Sequence, residues 1–320
     1  MTDSITKRIE DENLTFAPSL MTQIPLFPIS KPTTSFIRRT NGSISVTIAP
    51  AEPESWVYGK IPRVLFLYIQ RMITTHDPKV KMGARAVLID SSFREFCRQT
   101  GLTCNPPTLE EIKRTVKNLS QMFVVVSKDV TRPDFDFHAS ESKKIAERTL
   151  TANPVAGGWV MIVFAKDFWD ELVSTSVPMD NSVIKQLGKS PRSIDLYLWF
   201  RYRLNALRKL HRDILITWDS LYLQFEGTGL PMKTFRKKFK VAIDKLIEIC
   251  PTYVIRYDSK GVTIPYQENK INWDPSDDEL VRVDTTDSEG AYVEGLKEIS
   301  TPADAREAFN AAARAIGFDL

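Results

Sequence analysis

A run of cations in the last third of the chain carries the clearest chemistry. The segment behind Pro231 has four of them at helical spacing: Lys233, Arg236, Lys237 and Lys240. Ammonium and guanidinium groups on one side of a helix can bind phosphates and read guanine edges in the DNA major groove. A basic helix face that meets only solvent has the same pattern, so both interpretations stay open.

The elements around this segment favour the nucleic-acid interpretation. Its other side is apolar, with Phe235 and Phe239 spaced to face a core. A strand over 214–217, a short helix over 218–225 and two turn glycines precede it, and a β-hairpin over 253–265 follows. This order predicts a winged helix-turn-helix. Its predicted DNA-binding residues are Lys233, Thr234, Arg236, Lys237 and Lys240 on the helix, and Arg256 and Lys260 on the hairpin.

The first half repeats this order of elements with a weaker charge. Helices are predicted over 63–75, 93–100 and 109–122, and strands over 43–48, 86–90, 123–127, 144–151 and 159–165. Thr108 and Glu111 are spaced as a capping box for the third helix. That helix adds three predicted DNA-binding residues, Lys113, Arg114 and Lys117, whose charge is partly cancelled by Glu110 and Glu111.

The two repeats predict an α+β fold of two tandem winged-helix domains. Residues 41–170 would form the first, for dimerisation or DNA-backbone contacts, and residues 171–268 the second, for sequence-specific binding. Residues 1–40 are predicted as a flexible arm and residues 269–320 as an acidic, largely disordered tail. Residues 271–320 carry 12 Asp or Glu against 4 Lys or Arg, whereas residues 1–270 carry 39 Lys or Arg against 28 Asp or Glu. A basic body of this kind suits an anionic partner.

Composition excludes several other classes of protein. The 320 residues are 42% hydrophobic and 26% charged, which is typical of a soluble protein of about two domains. No apolar run reaches the roughly 18–20 residues of a membrane span, and the polar start lacks the pattern of a signal peptide. Three sparsely placed cysteines indicate no disulfide framework, so we expect a cytoplasmic bacterial protein.

Catalytic motifs are incomplete in this sequence. The Gly-Lys-Ser sequence at 188–190 resembles the end of a phosphate-binding loop, but Val183 stands where that loop needs glycine. Asp134 and Asp136 could pair as metal-binding carboxylates, although no third acid or histidine is recognisable beside them. The three histidines are isolated, and Cys97 lies in an apolar helix where we expect it to be buried. We therefore predict no catalytic residue, no metal and no cofactor.

Two motifs resemble the plasmid-encoded RepA family of replication initiators. The sequence YGKIPR at residues 58–63, running into an apolar helix, matches the Y-G-x-x-P-R signature of that family. The sequence SPRSIDLYLW at residues 190–199 matches its S-x-x-x-x-D-L-Y-x-W pattern. Segments 93–102 and 159–168 are also similar, and the likeness covers about residues 55–265. In length and character the chain resembles the RepA initiators of broad-host-range plasmids such as those of the W incompatibility group.

The resemblance implies an initiator that binds iterons, the directly repeated sites of a plasmid origin. It would help to melt adjacent A·T-rich DNA and to load the host DnaA protein and replicative helicase. Such initiators commonly repress their own promoter as dimers, which implies a homodimer in equilibrium with the monomer, and they bind rather than catalyse. Between Gly101 and Thr108 the family is often glycine-rich, whereas this chain has LTCNPP, so we expect a different turn there.

Two alternative functions stay open from the sequence. The first is a transcriptional repressor without origin activity, which would have the same DNA-binding elements. The second is a primase-like or nicking replication enzyme, which would depend on Asp134 and Asp136.

Overall fold

Helices alternate with short antiparallel strands along the chain. The computed structural model describes residues 13–42, 44–89, 93–132, 135–152, 159–174, 176–188 and 190–269. Its helices are α1 (Ser19–Gln23), α2 (Lys60–Thr74), α3 (Phe93–Thr100), α4 (Pro106–Leu119), α5 (Lys166–Ser174), α6 (Asn181–Leu187), α7 (Pro191–Leu210), α8 (Trp218–Phe225), α9 (Met232–Ile249) and α10 (Tyr266–Asn269). Its strands are β1 (Leu14–Pro18), β2 (Ile37–Asn41), β3 (Ile44–Pro50), β4 (Val80–Lys81), β5 (Ala86–Ile89), β6 (Met122–Arg132), β7 (Phe135–Lys144), β8 (Ala146–Ala152), β9 (Trp159–Phe164), β10 (Ser176–Asp180), β11 (Ile214–Thr217), β12 (Arg256–Tyr257) and β13 (Gly261–Ile264). None of the helices described is long and apolar enough to cross a membrane.

Two four-stranded antiparallel sheets build most of the first half, in the orders β2-β3-β6-β7 and β4-β5-β9-β8. Val46 and Ile48 on β3 are buried, as the two-residue period of a strand requires. The strands predicted near β3, β5, β8 and β9 are confirmed. β6 continues to Arg132 and pairs with β7, where the sequence predicts only a polar segment. Backbone pairing at a sheet edge needs no apolar alternation, so this strand leaves little sequence signal.

The three helices predicted in the first half are present as α2, α3 and α4, with one corrected cap. The side chain of Asn105 accepts a hydrogen bond from the backbone N–H of Thr108 at 2.9 Å, so Asn105 is the cap of α4. The capping box predicted from Thr108 and Glu111 is therefore wrong. Pro106 occupies the first helical position, which suits proline and starts the helix earlier than the apolar pattern indicates.

Residues 14–23 and 37–41 form regular elements, where the sequence predicts an irregular arm up to about residue 40. β1 pairs antiparallel with β10, α1 follows it, and β2 pairs with β3. Phe16, Leu26 and Phe27 are buried. The partner of β1 lies far along the chain, so the prolines of this region carry the only local signal and they favour a loop. Residues 1–12 lie outside the described residues.

One cluster of buried apolar side chains runs through the described residues from Ala17 to Ile264. α7 lies at its centre, because residues 192–200 are all buried. α1 and α2 pack on α7, as do α6 and α9. The division near residue 170 into two winged-helix domains stays a prediction. The predicted acidic tail lies outside the described residues, apart from Asn269.

The two family-like motifs meet at a buried ion pair. Arg63, the last residue of YGKIPR, donates from Nε and Nη2 to the two carboxylate oxygens of Asp195 at 2.7 and 2.6 Å. The Arg63 residue is 0% exposed, and it also donates to the carbonyl of Phe27 at 2.6 Å and to the carbonyl of Gly59. The motifs therefore join α2 to α7.

Three more charged groups belong to this buried cluster. Arg39 lies on β2, and Arg192 on α7 is 3.5 Å from the carboxylate of Glu226. Burial lowers the pKa of Arg39 to about 10 and also lowers the pKa of Arg192. Burial raises the pKa of Glu226, but hydrogen bonds from the turn after it outweigh burial and the net pKa is lowered. The cluster holds three guanidinium groups and two carboxylates, so it has a surplus of positive charge.

Candidate nucleic-acid interface

Aromatic rings hold α9 against α8. The ring of Phe239 lies 4.9 Å from that of Phe225 and 6.2 Å from that of Trp218, both in edge-on geometry. The rings of Phe235 and Tyr222 are 5.3 Å apart. Phe235 and Phe239 are fully buried, which confirms the predicted apolar side. Because this side faces the core, the opposite side of α9 is outward.

A tight turn joins α8 to α9. The carboxylate of Glu226 accepts a hydrogen bond from the backbone N–H of Thr228 at 3.0 Å. The hydroxyl of Tyr222 donates to the carbonyl of Leu230 at 2.7 Å. Gly229 has a φ of +80°, a conformation that favours glycine. Contacts within a few residues thus specify the turn between these two helices.

A hairpin (residues 256–264) lies beside the start of α8. It joins β11 in a three-stranded sheet of order β11-β13-β12. Trp218 anchors its turn, because the indole N–H donates to the carbonyl of Asp258 at 3.0 Å and the backbone N–H donates to the carbonyl of Lys260 at 3.2 Å. The Asp258 carboxylate accepts backbone hydrogen bonds from Gly261 and Lys260, which lower its pKa.

At Gly261, β13 passes close to β11, which it pairs with through Thr217. A Cβ there would collide with the carbonyl oxygen of Ile216. We expect Gly261→Ala to lower the free energy of unfolding by about 1–3 kcal/mol, the cost of forcing extra volume into a packed site, as measured by urea denaturation. Gly42→Ala measures backbone strain without a collision, because its φ is +60° and a Cβ there would meet nothing within 4 Å. We expect it to lose less free energy of unfolding than Gly261→Ala. Equal losses for the two variants would contradict the steric argument.

Aromatic rings also position two of the predicted cations. The guanidinium carbon of Arg236 lies 5.8 Å from the centre of the Trp218 ring. The Nζ of Lys240 lies 5.6 Å from the same ring and 4.9 Å from the ring of Tyr257. Cation–π attraction therefore holds Arg236 against α8, and it holds Lys240 against both α8 and the hairpin.

Lys233, Arg236, Lys237 and Lys240 together form what we call the cationic row. Lys233 and Lys237 are exposed, and Thr234 beside them is half-buried. No member of the row forms a salt bridge with any residue that the structure describes. Asp244, on the same helix, accepts a hydrogen bond from the Tyr257 hydroxyl at 3.0 Å. The row thus presents unneutralised positive charge on the outward side of α9.

The hairpin cations differ in their surroundings. Lys260 is exposed in the turn. Arg256 donates to the carboxylate of Glu268 at 2.6 Å, and both side chains are largely exposed. An exposed pair of this kind is weak, but it neutralises part of the charge of Arg256. Of the two predicted hairpin residues, Lys260 therefore retains the freer charge.

The predicted cations of the first half lie on α4. Lys113 pairs with Glu110 at 2.9 Å, and the Arg114–Glu111 distance is 4.0 Å. Lys117 is exposed, one turn beyond Lys113. The acids thus partly neutralise this face, as their spacing predicts. The side chain of Arg114 also lies over a ring of the YGKIPR motif, that of Tyr58, at 4.9 Å.

The residues that resemble parts of catalytic motifs have structural roles where the structure describes them. The side chain of Ser190 accepts a hydrogen bond from the backbone N–H of Ser193 at 3.2 Å, so the Gly-Lys-Ser sequence ends in a helix cap. Cys97 is buried, and burial raises the pKa of its thiol to about 11. Asp134 and the side chain of Asp136 lie outside the described residues. Within the described ranges, no three His, Cys, Asp or Glu side chains come together as a metal site.

Three residues of this surface are not among the DNA-binding residues that the sequence predicts. Trp218 and Tyr257 carry the rings beneath Arg236 and Lys240. Val241 lies on the outward side of α9 and is 61% exposed. Of the three, only Val241 leaves a signal in the sequence, because it is an apolar residue outside the core spacing of α9.

The fold and the site define a mixed helix-and-strand protein in which α8 and the cationic α9, joined by a tight turn, adjoin a hairpin. It is similar to the crystal structure of domain 2 and domain 3 of RctB, with a TM-score of 0.51 at 12% identity, over 78% of this chain and 97% of that one. A second structure, of the RctB domains 2-3, has a TM-score of 0.45 at 12% identity, over 79% of this chain and 99% of that one. The first likeness concerns the fold alone. No curated protein matches the chain.

A family model identifies the chain more closely. The model described as plasmid encoded RepA protein matches residues 56–220, which is more than half of the chain. The chain therefore belongs to the plasmid-encoded RepA family of replication initiator proteins, the family that its two motifs predict. The matched range includes both residues of the Arg63–Asp195 ion pair and ends within α8, before α9 begins.

Proposed function

We propose that this chain is a plasmid replication initiator that binds iterons at the origin through α8, α9 and the hairpin. The cationic row carries the proposal, because it combines free positive charge with an outward helix face. Phosphates attract such a face, and an α-helix fits the major groove of duplex DNA. In this proposal Arg236 reads a base edge, while Lys233, Lys237 and Lys260 contact phosphates.

The proposed fold is a pair of winged-helix units. In the second unit, residues 171–268, the order β11, α8, α9 and hairpin supports this assignment. In the first, residues 41–170, α3 and α4 precede a strand pair in a comparable order. Its proposed role is dimerisation or backbone contact, with Lys113, Arg114 and Lys117 as the phosphate-binding side chains.

Binding would serve several steps of initiation, which we propose from family membership. Bound protein would help to melt adjacent A·T-rich DNA and would recruit the host DnaA protein and replicative helicase, without catalysis of its own. A homodimer in equilibrium with the monomer would also repress the promoter of the protein and so control copy number. We place these steps in the bacterial cytoplasm.

A paired lysine substitution tests whether the cationic row contacts phosphates. We expect the Lys233→Ala/Lys237→Ala variant to bind duplex DNA with a salt dependence whose log–log slope is shallower by about 1.8, since each phosphate contact contributes about 0.9. Fluorescence anisotropy with a labelled duplex, between about 50 and about 200 mM salt, measures the slope.

The matched control removes the same charge elsewhere. Lys31 and Lys166 pair with Glu54 and Asp170 on the surface, at 2.5 and 2.7 Å. The Lys31→Ala/Lys166→Ala variant is expected to keep the slope of the unmodified protein. An equal change in both variants would assign the effect to net charge rather than to α9.

Origin activity separates the proposal from a repressor that only binds. A plasmid that carries the repeats without its own initiator gene is supplied with this protein in trans. We expect this plasmid to replicate, because the protein supplied in trans would replace the one component that the plasmid lacks, its initiator. Repression of a reporter promoter without plasmid replication would instead support the repressor. Primer synthesis or nicking that Asp134→Ala abolishes would support an enzyme.

A further inference from the structure

Val241 is an apolar residue on a face of α9 that is otherwise polar. It is 61% exposed, more than any other large apolar side chain among the described residues. A β-branched residue is unfavourable inside an exposed helix, and burial does not compensate here. One exposed apolar side chain is ordinary on its own, so its surroundings decide whether it has a role.

The neighbours of Val241 on the helix surface are cations. Residues three and four apart lie side by side on a helix, and these positions hold Lys237, Lys238 and Lys245. None of the three forms a salt bridge with a described residue. The remaining neighbour, Asp244, is hydrogen-bonded to the hydroxyl of Tyr257. The methyl groups of Val241 therefore lie within a patch that would attract a polyanion.

We propose that Val241 recognises the C5 methyl group of a thymine in the major groove. The inference rests on the proposed function, since it needs a DNA duplex lying against α9. An apolar protein surface is a poor partner for this patch, because covering it would desolvate the surrounding ammonium groups without pairing them. The thymine methyl is the apolar group that base edges offer in the major groove. Val241 would thus favour an A·T pair at one position of the site.

Removal of single methyl groups from the DNA tests this contact. The full-length protein first selects a preferred duplex from a random-sequence pool. Each thymine of that duplex is then replaced in turn by 2′-deoxyuridine, which lacks only the methyl group. We expect about fourfold weaker binding at one or two positions, the loss for one buried methyl group.

The Val241→Ala variant identifies the side chain that makes the contact. It is expected to bind the unsubstituted duplex at least fourfold more weakly and to lose the preference for thymine over uracil at that position, as coupled partners do. Alanine is the better helix former, and thermal unfolding checks that the fold is kept. Leu215→Ala changes another exposed apolar side chain, on β11, and is expected to keep the thymine preference.

Each outcome separates this inference from the function on which it rests. One outcome is a preferred duplex in which every uracil substitution weakens the unmodified protein and Val241→Ala equally. That result would overturn the inference alone. A thymine preference that persists in Val241→Ala would also overturn it. If the pool yields no preferred sequence, the proposed function fails and the inference fails with it.

Discussion

Asp195→Asn is expected to lower the free energy of unfolding by about 3–5 kcal/mol, the usual loss when one partner of a buried ion pair is removed. Asparagine keeps the shape of aspartate, so the loss reports charge rather than packing. Arg63 is 0% exposed and binds both carboxylate oxygens of Asp195. Without this negative charge, Glu226 is the only acid left among the described residues of the cluster to balance Arg39, Arg63 and Arg192.

Urea denaturation measures this loss, and a surface pair provides the control. Asp170 pairs with Lys166 at 2.7 Å in an exposed position. Asp170→Asn is expected to leave the urea midpoint nearly unchanged, because exposed pairs contribute little. A similar shift for Asp195→Asn and Asp170→Asn would contradict the role given to burial.

A double substitution distinguishes an unpaired charge from a lost contact. The Arg63→Met/Asp195→Leu variant removes both charges, and we expect it to recover part of the loss, since apolar replacement of a whole buried pair is often tolerated. Recovery should be incomplete, because Arg63 also donates to the carbonyls of Phe27 and Gly59. A double variant no more stable than Asp195→Asn would refute the explanation by unpaired charge.

The elements of the candidate interface follow from local signals in the sequence. β11 and α8 have the predicted bounds, and α9 begins just after Pro231. Apolar spacing, turn glycines and a helix-breaking proline each act within a few residues, so a reader of the sequence can place them. The same holds for the buried Phe235 and Phe239.

Features that depend on distant partners could not be predicted. β1 pairs with β10, and nothing in the sequence around either strand shows that the other is its partner. The two family-like motifs are recognisable in the sequence, but only the fold shows that Arg63 of one binds Asp195 of the other. The motifs therefore predict the family correctly and leave the role of their charges open.

The sequence also does not show which cations of the site keep a free charge. The sequence places Arg256 and Lys260 in one hairpin, and the fold pairs Arg256 with Glu268. The rings of Trp218 and Tyr257 come from two separate elements, so helical spacing cannot place them beneath the cations of α9. Tertiary contacts thus decide which of the predicted cations keep a free charge.

Arg236 is the member of the cationic row best arranged to read a base. The cation–π contact with Trp218, at 5.8 Å from the ring centre, restricts its guanidinium. The Nε of Arg236 is buried without a hydrogen-bond partner among the described residues. A planar group held in this way loses little entropy when it donates two hydrogen bonds to a guanine edge. Lys233 and Lys237, in contrast, are exposed, flexible ammonium groups.

We expect Arg236→Ala to reduce the preference for the selected duplex over a scrambled one by about 1–3 kcal/mol, which is about 5- to 150-fold. Competition gel shifts with both duplexes at one fixed salt concentration measure this ratio. Lys260→Ala is the comparison, because an exposed cation that contacts phosphate should weaken both duplexes alike. Arg236→Lys keeps the charge but not the paired donors, so it should lose the preference while retaining most affinity for the scrambled duplex. If Arg236→Ala instead weakens both duplexes by the same factor, Arg236 contacts phosphate and the base reader of α9 lies elsewhere.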